Sequence, residues 1–204
     1  MTNHEAAEPA VRKVRLDHRQ VRVLAHPLRL RLLGALRARS PATATTLAGL
    51  LDTNTGATSY HLRQLAEVGL VTEVAQPASG RQRWWRAAHD LSSWEPTDFD
   101  DDPDARAAIE WIQGDQVRQL AESAERWFAT QHEWSPAWRD ALGMSDVLMT
   151  IPPARLKQLE AEVWELMERY RHETEAETEA GTGDPQARPV QVFLAAYPLP
   201  GQTR

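Results

Sequence analysis

Asn54-Thr55-Gly56-Ala57-Thr58-Ser59-Tyr60-His61-Leu62-Arg63-Gln64-Leu65, closed by Gly69-Leu70-Val71, is the stretch on which the fold turns. Thr58, Leu62, Leu65 and Val68 or Gly69 recur at helical spacing and form one face, with Thr55, Gly56, Ser59, Tyr60 and Arg63 opposite. Either Asn54 or Thr55 can cap this helix, since a short side-chain oxygen there accepts one of the orphan N–H groups of the first turn. Small residues in that turn would let the backbone approach a partner closely, and the helix dipole favours an anion such as phosphate at the same end.

Upstream, Val21, Leu24, Leu28, Leu32, Leu33 and Leu36 keep a helical period that His26-Pro27 interrupts. Proline is tolerated in a first helical turn, so the pattern predicts a short helix before it and a second from Pro27 to about Arg37. A third helix is expected from about Thr43 to Leu51, with Leu47, Leu50 and Leu51 inward. Downstream the period changes. Residues 70–75 and 81–87 read as two strands, separated by the turn-forming Gln76-Pro77-Ala78-Ser79-Gly80. Three helices, a short turn, a further helix and a β-hairpin is the order of a winged helix-turn-helix, whose last helix enters the major groove of a duplex. On that reading Arg63 reaches a guanine or a phosphate, Gly80 permits the hairpin tip, and Arg81 and Arg83 project towards a backbone or minor groove. Arg29 and Arg31 are further candidate phosphate contacts.

Charge is distributed to match. The chain of 204 residues carries a net charge of -6, which spread evenly would argue against a nucleic-acid partner. From Val11 to His89, however, thirteen basic residues stand against four acidic ones, a surplus of nine, so the remainder holds -15. A basic module joined to an acidic one is what a phosphate-facing domain requires, because each neutralised phosphate releases condensed counterion. The 21 arginines against two lysines, Lys13 and Lys157, hint at a GC-rich bacterial genome rather than at structure.

Leu28-Arg29-Leu30-Arg31-Leu32-Leu33, Thr46-Leu47-Ala48-Gly49-Leu50-Leu51, the Asn54 to Leu65 run and Gly69-Leu70-Val71 together resemble the ArsR-type bacterial regulators over roughly residues 17–90. That resemblance implies a homodimer on an inverted-repeat operator, usually a repressor released by an effector. Metal-sensing members carry a Cys pair on the third helix, or Asp and His ligands on a terminal helix. This chain has no cysteine, and His4, His18, His26, His61, His89, His132 and His172 lack ligand spacing, so metal sensing is disfavoured and no cofactor is expected. His61 reads as a packing residue between helices.

The absence of cysteine also excludes a disulfide framework and thiol chemistry. No apolar run approaches the roughly 18 residues of a membrane span, and the start lacks signal-peptide character, which makes the cytoplasm the default location. No phosphate loop, nucleophile elbow or paired His and carboxylate supports an enzyme.

Six of the eight tryptophans, Trp94, Trp111, Trp127, Trp134, Trp138 and Trp164, lie after residue 90. Most are expected in a core or dimer interface, and together they make this half the place to seek an apolar or aromatic effector. Helical periods predict one long helix from about Pro103 to Thr130 and another starting after Pro153. The expected fold is mainly α with a small β component. It divides into a flexible tail at 1–16, the winged module at 17–90, an acidic linker at 91–103 and a helical dimerisation and effector region at 104–198. Within the last, 175–187 is expected as a mobile loop, and 190–197 as a strand paired with 146–151. The partners implied are double-stranded DNA and a second copy of the chain, with no membrane. The competing reading is a winged-helix protein-interaction module without sequence-specific DNA binding.

Overall fold

The computed structural model describes residues 12–75 and 82–199. They fall into two compact units, 1–122 and 123–204.

In the first unit the helices begin where the sequence supplies caps. Asp17 and Gln20 form a capping box at the head of α1 (His18–Leu24), each side chain bonding the other's backbone N–H. At α2 (Pro27–Ala38), Pro27 takes the first turn and the His26 ring accepts from Leu28 N–H at 3.1 Å. Thr43 caps α3 (Ala44–Leu50) and Asn54 caps α4 (Thr55–Glu67). Strands β2 (Ala42–Thr43), β3 (Val71–Val74) and β4 (Trp84–Ala87) make an antiparallel sheet in the order β2-β4-β3, with Val71 opposite Ala87 and Val74 opposite Trp84. Leu32, Leu36, Leu47, Leu62, Leu65, Leu70 and Trp85 bury their side chains between these helices and the sheet. This is a winged helix-turn-helix. The expected turn at 76–80 lies outside the described residues.

Two segments at the edges of this module differ from the expectation. Residues 13–16 are not a tail: β1 (Lys13–Arg15) pairs parallel with β5 (Leu91–Ser93), and Leu16 is buried with its N–H on the Ser93 carbonyl at 2.8 Å. The expected linker at 91–103 likewise packs. It contains β5 and a 3-10 turn over Pro96–Phe99, and Phe99 is only 1% exposed. Phe99 anchors this acidic stretch together with the partly buried Trp94, burial of one such side chain being worth about 1.5–3 kcal/mol. Asp102 then serves as a cap as well as a charge. Its carboxylate accepts from the Ala105 N–H at 2.9 Å, His18 Nδ1 lies 2.8 Å from it, and Arg22 Nη1 donates at 2.6 Å. The Ala105 N–H, then His18, then Arg22 hold that carboxyl down at about 2. From there α5 (Pro103–Thr130) starts where the period predicts, and Ala105, Ile109 and Ile112 join the core of this unit.

In the second unit, α6 (Pro136–Ala141) and α7 (Pro153–Glu179) are the helices after α5, and neither buries a residue fully. Two expectations are corrected here. Residues 175–179 continue α7 instead of opening a loop: Glu and Ala favour helix without needing a packed face, Arg171 pairs with Glu175 at 3.2 Å, and Gly181 at φ 71° turns the chain out of the helix. Residues 146–151 and 190–197 form no strand. Val192 and Tyr197 are 65% and 77% exposed, and a two-stranded pair with no layer covering it is marginal in water. Among the described residues no helix is long and apolar enough to cross a membrane.

Candidate nucleic-acid interface

The geometry of α4 follows from its two faces. Thr58, Leu62 and Leu65 are fully buried, so the helix has one rotational setting about its axis. Thr55, Gly56, Tyr60 and Arg63 are then exposed, Tyr60 at 53%, with Ser59 half-buried among them. Asn54 Oδ1 accepts the Ala57 N–H at 2.8 Å, and Thr58 Oγ1 donates to the Asn54 carbonyl at 3.0 Å. A side chain at Gly56 would press its Cβ to 3.3 Å from that capping oxygen, so glycine keeps the cap intact and the first turn bare. Arg63 folds back one turn, its Nε donating to the Ser59 carbonyl at 3.1 Å, which holds the guanidinium along the exposed face.

The turn feeding α4 is fixed from outside. Arg31 Nη2 donates to the Leu51 carbonyl at 2.9 Å, and Arg29 Nε donates to the Val23 carbonyl. Arg29 is half-buried and desolvation lowers its pKa, whereas Arg31 is exposed. Both arginines therefore brace backbone carbonyls at the ends of neighbouring helices, a role that their spacing alone does not reveal. Arg83, just ahead of β4, is exposed, with Nε 3.7 Å from the Glu73 carboxylate. Gly80 and Arg81 lie outside the described residues.

His61 lies against His26, ring centroids 4.3 Å apart, and Tyr60 meets the His61 ring edge-on at 5.1 Å. Its Nδ1 is buried with no hydrogen-bond partner. Desolvation, then the neighbouring His26 and Arg29 charges, lower its pKa; desolvation and Arg29 do the same to His26. Both rings are thus held neutral where α2 meets α4. Among the described residues no group of three or more His, Asp or Glu is placed to hold a metal.

In the second unit Trp127, Trp134 and Trp138 form a chain of tilted and edge-on contacts, with centroids 6.1 and 5.8 Å apart. Trp138 Nε1 donates to the Gln186 carbonyl at 3.2 Å, beside a cleft of about 240 Å3 lined by Ala137, Ala141, Asp184 and Ala187. Trp94 and Trp111 instead pack against the core of the first unit.

Residues 24–74 match the family model described as a helix-turn-helix domain. Among solved structures, the chain is similar to the homodimeric winged helix-turn-helix DNA-binding domain of a possible ArsR-family transcriptional regulator from Mycobacterium bovis. The identity is 21%, over 51% of this chain and 76% of that one, with a TM-score of 0.32. A possible transcriptional regulator for arsenical resistance is 29% identical over 50% of this chain and 94% of that one, with a TM-score of 0.30. A transcriptional regulator homologue from Pyrococcus horikoshii is 19% identical over 50% and 87%, with a TM-score of 0.31. No curated protein matches the chain. The helix-turn-helix match covers α2, α3, α4 and β3 and ends before β4.

Proposed function

We propose that this chain is a homodimeric, sequence-specific DNA-binding regulator, a repressor on an inverted-repeat operator, and not an enzyme. The observation that carries the reading is the division of α4. Its inner face is locked by Thr58, Leu62 and Leu65, while Thr55, Gly56, Ser59, Tyr60 and Arg63 are presented together on a stiff, capped helix beside a strand pair. Base reading requires such rigidity, because bidentate and methyl contacts in the major groove discriminate only when the side chains are positioned beforehand. The basic surplus from Val11 to His89 supplies the sequence-independent attraction to the duplex, with Arg83 just ahead of β4 and Arg81 as a further candidate contact. Arg31 is exposed and, beyond its bond to the Leu51 carbonyl, has donors to offer a phosphate; Arg29 does so less readily, being half-buried.

Dimerisation would place two copies of α4 about one duplex turn apart, roughly 34 Å. The second unit is the natural place for that contact, since it leaves Phe128, Leu148, Leu166 and Tyr170 exposed and, among the described residues, buries no side chain fully. Its tryptophan chain also offers an apolar or aromatic effector a surface. The decisive experiment is selection of bound duplexes from a random pool by the full-length chain. A palindromic consensus is the expected result. Recovery of unenriched DNA at low salt would replace this reading with that of a protein-interaction module.

A further inference from the structure

A cleft of about 410 Å3 opens beside the β3–β4 pair. Its walls come from distant parts of the chain: Arg12 ahead of β1, Arg37 in the last turn of α2, Val74 and Ala75 at the end of β3, Arg86 on β4, and Asp90. Among the described residues lining it, three arginines stand against the single carboxylate of Asp90. That carboxylate is already engaged, because Arg12 grips it with Nε at 3.2 Å and Nη2 at 2.9 Å, and the Arg12 backbone N–H adds a third bond at 2.9 Å.

Arg37 is the unusual member. Its Nε donates to the His89 carbonyl at 3.2 Å and its Nη2 to Ser92 Oγ at 2.7 Å, both neutral oxygens. Nη1 is outside those two bonds. Burial pulls its pKa down to about 10, with Asp90 offsetting part of the effect. A guanidinium largely removed from water and bonded to neutral acceptors retains an unmet demand for negative charge. Arg86, also in the lining, is exposed and bonds only weakly to Thr72 Oγ1 at 3.4 Å.

We infer that this cleft is a binding site for a small oxyanion of two or more charges, gripped by Arg37 and Arg86 with Arg12 at the rim. Planar guanidinium forks match phosphate and carboxylate oxygens in pairs, and the lining holds a net positive charge that Asp90 alone does not cancel. The site does not depend on DNA binding. Within the regulator reading it supplies an effector position on the wing, since β3 and β4 form one wall. Phosphate oxygens could reach it from a free metabolite or from a duplex backbone.

The test uses the full-length chain in isothermal titration calorimetry at constant ionic strength, with pyrophosphate and citrate as probes and chloride as control. At least one probe is expected to bind once per chain with a Kd of about a millimolar or tighter. Arg86→Gln and Arg12→Gln, both at exposed positions, should each weaken it roughly tenfold, as loss of a charge-assisted pair predicts. Arg63→Ala should leave it unchanged, so a failure of the DNA reading is visible separately. Repeating the titration on the duplex-bound protein separates the sources. Continued binding identifies a free anion, while competition together with a lower salt slope in Arg86→Gln identifies the DNA backbone. Heats no different from chloride, or full affinity in Arg86→Gln, would overturn the inference.

Discussion

The imidazoles of His26 and His61 lie against one another, tilted by 39° with their centroids 4.3 Å apart, joining the cap of α2 to the middle of α4. His26 spends its Nδ1 lone pair on the Leu28 N–H, and neither ring gains a carboxylate partner among the bonds it makes. Protonation of either ring would place a charge in a desolvated spot beside Arg29.

The pH dependence follows from that geometry. Both folded-state values are depressed, and so is that of His89, first by desolvation and then by Arg12 and Arg37. The unfolded chain therefore binds more protons as pH falls below about 6.5. Stability should be full above that value and should decline as pH drops towards 5, well before Asp102 is protonated. Urea midpoints measured from pH 7.5 to 5 check this, and a double His26→Gln, His61→Gln variant should show a shallower decline. An unchanged slope in that variant would remove the pair from the explanation.

Phe99 turns an acidic stretch into part of the core. Phe99→Ala should destabilise the first unit by about 3–5 kcal/mol, the range for emptying a buried aromatic site. Equilibrium denaturation followed by circular dichroism gives the value. A loss under about 1 kcal/mol would mean that this segment only rests on the surface.

On α4, stability and recognition should separate. Asn54→Ala removes the cap and should cost about 1 kcal/mol of stability. Arg63→Ala should change stability by less than about 0.5 kcal/mol, yet weaken binding to the selected operator by about 1–3 kcal/mol. Tyr60→Ala should likewise act on operator affinity, whereas Arg83→Ala should weaken all duplexes alike and lower the salt slope by about one. Gel shifts across a salt series distinguish these patterns, and equal affinity in all three variants would reject the interface.

Exposed apolar side chains in the second unit should be covered by another copy. Sedimentation of the full-length chain is expected at twice its 23.0 kDa mass. Leu166→Asp combined with Tyr170→Asp should shift it to monomer, since both side chains are more than 40% exposed on α7 and would put charge into the contact. A dimer unaffected by that pair would move the interface off this face of α7.

Much of this architecture was legible in advance because the signals are local. Apolar spacing and caps place α2 to α5 within a residue or two, and α5 begins and ends where its period does. The exposed side of α4 is legible for the same reason, since burial of Thr58, Leu62 and Leu65 leaves one arrangement for the rest. What the sequence hides depends on partners far along the chain. Lys13–Arg15 alternates polar and apolar over too few residues to signal a strand, and becomes one because Leu91–Ser93 lies alongside. Arg29 and Arg31 look like free cations until the Val23 and Leu51 carbonyls are placed beside them. Arg37 resembles any solvated helix arginine, and its burial is set by the turn at His89 and Ser92. The Glu-Thr-Ala run at the end of α7 misleads in the opposite sense, because it has no apolar face and is helical all the same.

The parallel ladder between β1 and β5, with Arg12 clamped on Asp90, stitches together two stretches 78 residues apart in sequence. Anyone trimming the protein to a minimal fragment inherits that stitch. A cut at residue 17 strips β5 of its neighbour and leaves a raw strand margin, which invites sticking to other molecules. A cut at residue 90 discards both β5 and the Phe99 anchor. The smallest piece that keeps its seams closed runs from ahead of Arg12 to beyond Ile112.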